Sequence, residues 1–259
     1  MKTLVAIPVY NEEQYVEKVL GEVKRFASDV LVIDDGSTDQ TPLLLAKQKV
    51  EVIRHAENRG YGQSMIDAFR TAQCWGFDWL ITMDCDEQHE PAALPVFFDA
   101  IAADDADVIS GSRYLDAKLE ADRPPQDRRA INGRITKLLN EDLGYDLTDS
   151  FCGYKAYRVS AANQLSLSER GYAFPLQFWV QARAKGLRVR EIPVRLIYND
   201  PNRSFGGPLN DADNRLQHYL SVYRHELEQV GDQLPTSGCC GCGASSNSKS
   251  TSTDMPPTR

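Results

Sequence analysis

The sequence reads as an α/β protein with a mostly parallel central sheet flanked by helices. Short apolar runs alternate with helically spaced segments over the first ~110 residues, and polar, acidic residues follow several of those runs. The runs at 4–9, 30–33, 50–53, 79–83 and 108–110 have the length of buried strands. Between them, 12–26 carries Tyr15, Val16, Val19, Leu20 and Val23 at helical spacing, and 41–47, 63–75 and 92–102 complete the alternation. Strands separated by helices in this rhythm form βαβ units, whose strands run parallel. Asn11 before two glutamates, and Ser37, Thr38 and Asp39 before the second helical segment, are helix-start signals.

Beyond residue 112 the pattern loosens. Residues 112–127 read as a loop, with Pro124 and Pro125 excluding a helix there. A basic amphipathic helix is expected at 128–143, a strand around 151–157, a helix at 174–185, a strand at 188–196 and a last helix at 211–230. From 231 on, Ser, Thr, Gly and Pro dominate, too few apolar residues to offset the entropy of ordering them, so 231–259 is expected to be a disordered tail. Three of the six cysteines, Cys239, Cys240 and Cys242, crowd into that tail without a nearby histidine, which falls short of a closed zinc site.

With 259 residues, the chain is long enough for one large domain. Its formal charge of −8 argues against a nucleic-acid or anionic-membrane surface covering the whole protein. No apolar run approaches the ~18 residues of a membrane span, and the start shows no long signal-type apolar region, so a cytoplasmic protein is expected.

In open α/β sheets ligands bind beyond the carboxyl ends of the strands. There the sequence places Pro8-Val9-Tyr10-Asn11-Glu12, then Asp34-Asp35-Gly36-Ser37, then Asp84-Cys85-Asp86-Glu87-Gln88-His89. Any one of these acidic residues can simply cap a helix, which is a strong alternative for Asp34 and Asp39. Three acidic clusters at one edge repel each other unless a cation sits among them. Asp84 and Asp86, two apart, point to one side of an extended segment, and Gln88 adds an oxygen. Hard oxygen donors suit Mg²⁺ or Mn²⁺, and such ions usually share their shell with substrate phosphates. The lone His89 is more often structural than a ligand. GxGxxG at the first turn, GxxxxGK[ST], GxSxG and HExxH are all absent, leaving a metal–diphosphate site in an acidic crevice.

IPVYNEE, VIDDGSTDQT, NRGYGQSMIDAF, DCDEQHEP and GSRY, in this order, resemble the family 2 glycosyltransferases of the GT-A fold. The resemblance is closest to dolichol-phosphate mannose synthases and related polyprenyl-phosphate sugar transferases, over about residues 1–200. It implies a GT-A type nucleotide-diphospho-sugar transferase fold and a GDP- or UDP-sugar donor. Pro8, Tyr10, Glu12 and Asp35, with Asp84, would bind the nucleotide. Asp84, Asp86 and Gln88 would hold Mg²⁺ or Mn²⁺ and the diphosphate. Arg113 would lie near the phosphates and Arg128 would face the acceptor phosphate, although a solvated helix face is the plainer reading of Arg128, Arg129 and Arg134. The catalytic set so implied is Asp84, Asp86, Arg113 and Arg128. A catalytic domain at 1–230 would divide into a donor half, 1–112, and an acceptor half, 113–230.

The chain departs from the family pattern on the acceptor side. Asp149-Ser150-Phe151-Cys152-Gly153 has an extra residue, which weakens any role for Asp149. Gln177 stands where a glutamate is usual, and Arg203 occupies an altered loop in which an arginine is expected in another register. The expected reaction is direct, inverting displacement onto a polyprenyl (dolichyl-type) phosphate, an anion that needs no general base. The protein would then touch the inner membrane face only peripherally. Alternatives are transfer to a soluble glycan, protein or metabolite hydroxyl, which needs a carboxylate base, and a non-catalytic nucleotide-sugar binding module.

Overall fold

A computed structural model describes residues 1–119, 122, 124–198 and 206–234. Arg203, Cys239, Cys240, Cys242 and most of the tail expected at 231–259 lie outside the described residues.

The first half alternates as the sequence indicates: β1 (Thr3–Val9), α1 (Val16–Val23), β2 (Val30–Asp34), α2 (Thr41–Leu45), β3 (Glu51–Arg54), α3 (Tyr61–Cys74), β4 (Trp79–Thr82), α4 (Leu94–Ala102) and β5 (Val108–Ser112). The second half adds α5 (Gln126–Leu143), β6 (Lys155–Arg158), α6 (Val159–Ala162), α7 (Phe174–Ala184), β7 (Val189–Pro193) and α8 (Ala212–Val230). The strands form one seven-stranded sheet in the order β3-β2-β1-β4-β6-β5-β7. Only β6 is antiparallel to its neighbours, β4 and β5.

Alternation along the buried strands feeds two cores, one on each face. Leu4 and Ala6 of β1, Leu31 and Ile33 of β2 and Leu80 of β4 pack with α3, α5, α7 and α8. Val5, Ile7 and Val9, Val30 and Val32, and Trp79 and Ile81 pack with α1, α2 and α4. The result is a three-layer α/β/α arrangement.

Two local expectations shift. Helix α1 starts at Val16, not at residue 12. Asn11 does not cap it: at φ 56° its Oδ1 accepts the backbone N–H groups of Thr38 (2.8 Å) and Asp39 (3.3 Å), tying the β1 exit to the turn after β2. Strand β6 begins at Lys155, because 151–154 is a bent segment packed across the sheet's carboxyl edge. Being antiparallel, β6 starts at the edge where the parallel strands end. No described helix is long and apolar enough to cross a membrane.

Candidate functional site

A cavity of about 1180 Å³ opens at the carboxyl edge of the sheet, and the residues assigned to nucleotide, metal and catalysis line it: Pro8, Tyr10, Glu12, Asp35, Asp84, Asp86, Gln88, Arg113 and Arg128. The turns after β1, β2 and β4 supply the acidic side. The opposite wall comes from α5, α7 and α8, with Phe174, Trp179 and Tyr219 among its aromatic residues.

On the acidic side several carboxylates build the walls. Asp34 is fully buried, accepts the Ser37 N–H (2.9 Å) and pairs with Arg54 at 3.2 Å. Asp39 accepts the N–H groups of Thr41 and Glu13 from one residue before Gln40, the N-cap position of α2. Asp35 accepts the N–H groups of Arg59 (2.8 Å) and Gly60 (2.9 Å) and meets His55 Nδ1 at 2.6 Å. It thus clamps the Asn58–Arg59–Gly60 turn that faces the cavity. Gly60, at φ 98°, and Gly62 press that turn against the backbone of Glu169 and Arg170, where a Cβ on either would overlap a carbonyl oxygen. Tyr10 stands half-exposed at the rim, able to stack on a flat ring.

Asp84 and Asp86 follow β4. Asp86 is buried and its Oδ1 accepts the Gln88 N–H (3.0 Å), a tight turn completed by Glu87 at φ 61°. His89 is buried behind them, and its Nδ1 accepts the Asp84 N–H (2.9 Å), so the ring hydrogen sits on Nε2, facing Cys152 Sγ at 3.8 Å. Burial pulls the His89 pKa down to about 4, which keeps the imidazole neutral and makes it a support for the Asp84 loop. Gly153 backs the same carboxylate: a Cβ there would sit 2.9 Å from Asp84 Oδ2.

Among the described residues no three His, Cys, Asp or Glu side chains converge on a ready-made metal cage. Two carboxylates and one amide oxygen on a substrate-sized cavity, with glycine keeping Asp84 uncrowded, nevertheless fit a hard divalent ion whose remaining ligands are phosphate and water.

The wall that carries Arg113 is organised by Asp149, to which the sequence reading gave little weight. It is fully buried and accepts from Arg113 Nε (2.6 Å) and Nη2 (2.9 Å), Asn132 Nδ2 (2.9 Å) and the N–H groups of Phe151 and Cys152 (3.2 Å each). Burial alone would raise its pKa, but the Arg113 charge and these donors outweigh it and hold the carboxyl at about 2. Asp149 therefore fixes the orientation of the Arg113 guanidinium at the edge where β5 ends. Arg128 lies over the Tyr198 ring at 5.6 Å, and Arg129 over Tyr114 at 5.4 Å.

Three further residues on this side had no clear signal. Lys155 is buried on the cavity wall at the start of β6. Arg215 of α8, also buried there, bonds Asp127 (2.6 Å) and the Leu209 carbonyl (2.8 Å), joining α8 to α5. Glu226 accepts from Gln177 Nε2 (2.5 Å) and Gln181 Nε2 (3.0 Å). That contact accounts for Gln177: its amide donates to Glu226 while its Oε1 accepts from the backbone of Ser168 and Glu169, both at 2.7 Å. A glutamate at 177 would set two buried carboxylates against each other. Gln177 does not line the cavity, so its departure from the pattern concerns the packing of α7 on α8.

Comparisons with known proteins agree with this architecture. The sequence profile of Glycosyl transferase family 2 matches residues 4–166. The undecaprenyl-phosphate mannosyltransferase of Micrococcus luteus is 30% identical, over 82% of this chain and 91% of that protein. The polyprenol monophosphomannose synthase of Mycolicibacterium smegmatis is 31% identical, over 74% and 76%. Among solved structures, glucosyl-3-phosphoglycerate synthase from Mycobacterium tuberculosis, in complex with Mn²⁺, UDP and glucosyl-3-phosphoglycerate, superposes with a TM-score of 0.69. It covers 92% of this chain and 82% of its own at 16% identity, a likeness of fold.

Proposed function

The chain belongs to glycosyl transferase family 2, and from that premise we propose that it moves a sugar from a nucleoside-diphosphate donor to a polyprenyl phosphate, with inversion and with Mg²⁺ or Mn²⁺ as cofactor. The observation that carries this reading is the single cavity with an acidic, metal-suited wall facing a cationic and aromatic one. Relatives named for undecaprenyl-phosphate and polyprenol-phosphate mannosyl transfer, similar over most of their length, support the acceptor class.

In this reading residues 1–112 bind the donor and 113–230 the acceptor. Tyr10 and Pro8 pack against the base, and Glu12 with the turn clamped by Asp35 shapes the ribose pocket. Asp84, Asp86 and Gln88 would hold the metal. The bound ion supplies Lewis-acid stabilisation of the negative charge that develops on the leaving group. Arg113, held in place by Asp149, adds a preorganised positive charge for the same purpose. An oxygen of the acceptor phosphate, oriented by Arg128, attacks the anomeric carbon; its bond to carbon forms as the bond to the diphosphate oxygen breaks. A single displacement inverts the anomeric centre. The acceptor is already an anion near neutral pH, so no side chain has to remove a proton. The lipid reaches the site from a membrane surface that the protein contacts peripherally.

Incubation with Mn²⁺, undecaprenyl phosphate and each of GDP-mannose, UDP-glucose and UDP-N-acetylglucosamine, followed by mass spectrometry, tests the proposal. One donor is expected to yield a lipid-linked sugar monophosphate. Transfer confined to hydroxyl acceptors would contradict it.

A further inference from the structure

Lys155 is a buried ionisable group on the cavity wall with little around it to balance its charge. Its side chain is almost completely buried, yet the groups around the ammonium are the Cys152 carbonyl, to which it donates, and the face of Trp179, 5.5 Å away. No described carboxylate lies within ion-pair distance of it; Asp149 and Glu191 act on it only at longer range, and Asp149 is already bonded to Arg113. An ammonium has three hydrogens to donate, and one carbonyl leaves a buried charge largely unbalanced, a costly arrangement unless an anion completes it.

Its placement says where that anion would lie. On β6 Lys155 is in register with Thr82 of β4, two residues before Asp84, and with Ser110 of β5, three before Arg113. It shares a face of β6 with Tyr157, on the side of the sheet packed by α5, α7 and α8, where Trp179 also sits. Lys155 therefore lines the cavity on the strand between the one that leads to Asp84 and the one that leads to Arg113.

We propose that Lys155 Nζ binds an anionic oxygen of the acceptor's phosphate group, so that the acceptor is gripped by Lys155 and by Arg128. This rests on the acceptor being a phosphate, as argued above. It assigns Lys155 to substrate binding and not to the packing of β6. Burial lowers the lysine's pKa, and a bound phosphate dianion would restore the preference for the charged form.

The test compares wild type with Lys155→Met and Lys155→Arg. Kinetics use farnesyl phosphate as acceptor and the active donor; thermal unfolding is followed with and without inorganic phosphate. A charge-assisted hydrogen bond predicts an acceptor KM about 10- to 100-fold higher for Lys155→Met, with the donor KM unchanged. Lys155→Arg recovers part of the loss. Methionine fills the same space without a buried charge, so the free variant keeps or raises its Tm, while the Tm rise given to wild type by phosphate disappears. An unchanged acceptor KM, a raised donor KM, or no phosphate-dependent Tm rise in wild type overturns the assignment. If wild type transfers nothing to farnesyl phosphate but phosphate still stabilises it through Lys155, the lipid reading fails and the anion site stands, with a soluble phosphate as its source.

Discussion

Replacing Asp86 by asparagine is expected to lower the rate of sugar transfer at least ~10²–10³-fold, the scale seen when one group that stabilises developing charge is removed. The substitution keeps the shape and can still accept the Gln88 N–H, so the turn after β4 survives. What it removes is a full negative charge from a pair of carboxylates that the proposal assigns to a divalent ion. Asp84→Asn should behave similarly in rate. The His89 bond to the Asp84 backbone N–H is kept in this variant. Steady-state rates at saturating Mn²⁺, with unfolding midpoints as a control, check both. A loss of less than tenfold in both variants would mean that these carboxylates do not carry the chemistry.

The second large effect falls on stability. Asp149→Asn leaves the partly buried Arg113 guanidinium without its fully buried counter-charge and is expected to destabilise the fold by about 3 kcal/mol. Activity should fall with it, because Arg113 is no longer aimed. The double variant Arg113→Met/Asp149→Asn should regain much of the stability, since no charge is left stranded, while remaining poorly active. Chemical denaturation of the three variants separates these outcomes.

The same pair sets an acid limit. A carboxyl held at about 2, below its ordinary value of 3.8, contributes its stabilisation fully above roughly pH 4 and loses it as pH falls towards 2. In Asp149→Asn that part of the acid-induced loss should be missing.

The acidic wall was legible in the sequence because a βαβ unit delivers its chemistry next to the strand that positions it. Pro8 to Glu12, Asp34 and Asp35, and Asp84 to Gln88 each sit within a few residues of a recognisable apolar run. The opposite wall was less so. Asp149 meets Arg113 across 36 positions, and only the reversed β6 brings 149–155 to the edge where β5 ends. Its importance came from the number of donors converging on it, which no local pattern records. Lys155 looks like an ordinary polar residue in the strand-like stretch FCGYKAY. On α8 the charges of Arg215 and Glu226 carry no local signal of burial, but contacts with α5 and α7 bury both. Asn11 had a familiar helix-start signature and instead bridges two turns, since its left-handed backbone directs the amide to the β2 side.

Calorimetric titration of GDP and UDP, each with and without Mn²⁺, into wild type and Asp86→Ala tests the central claim most directly. The site described here predicts that one nucleotide binds wild type tightly only when the metal is present, and that Asp86→Ala loses this metal-dependent gain while remaining folded. Metal-independent binding of equal strength in both proteins, or no binding of either nucleotide, would contradict it.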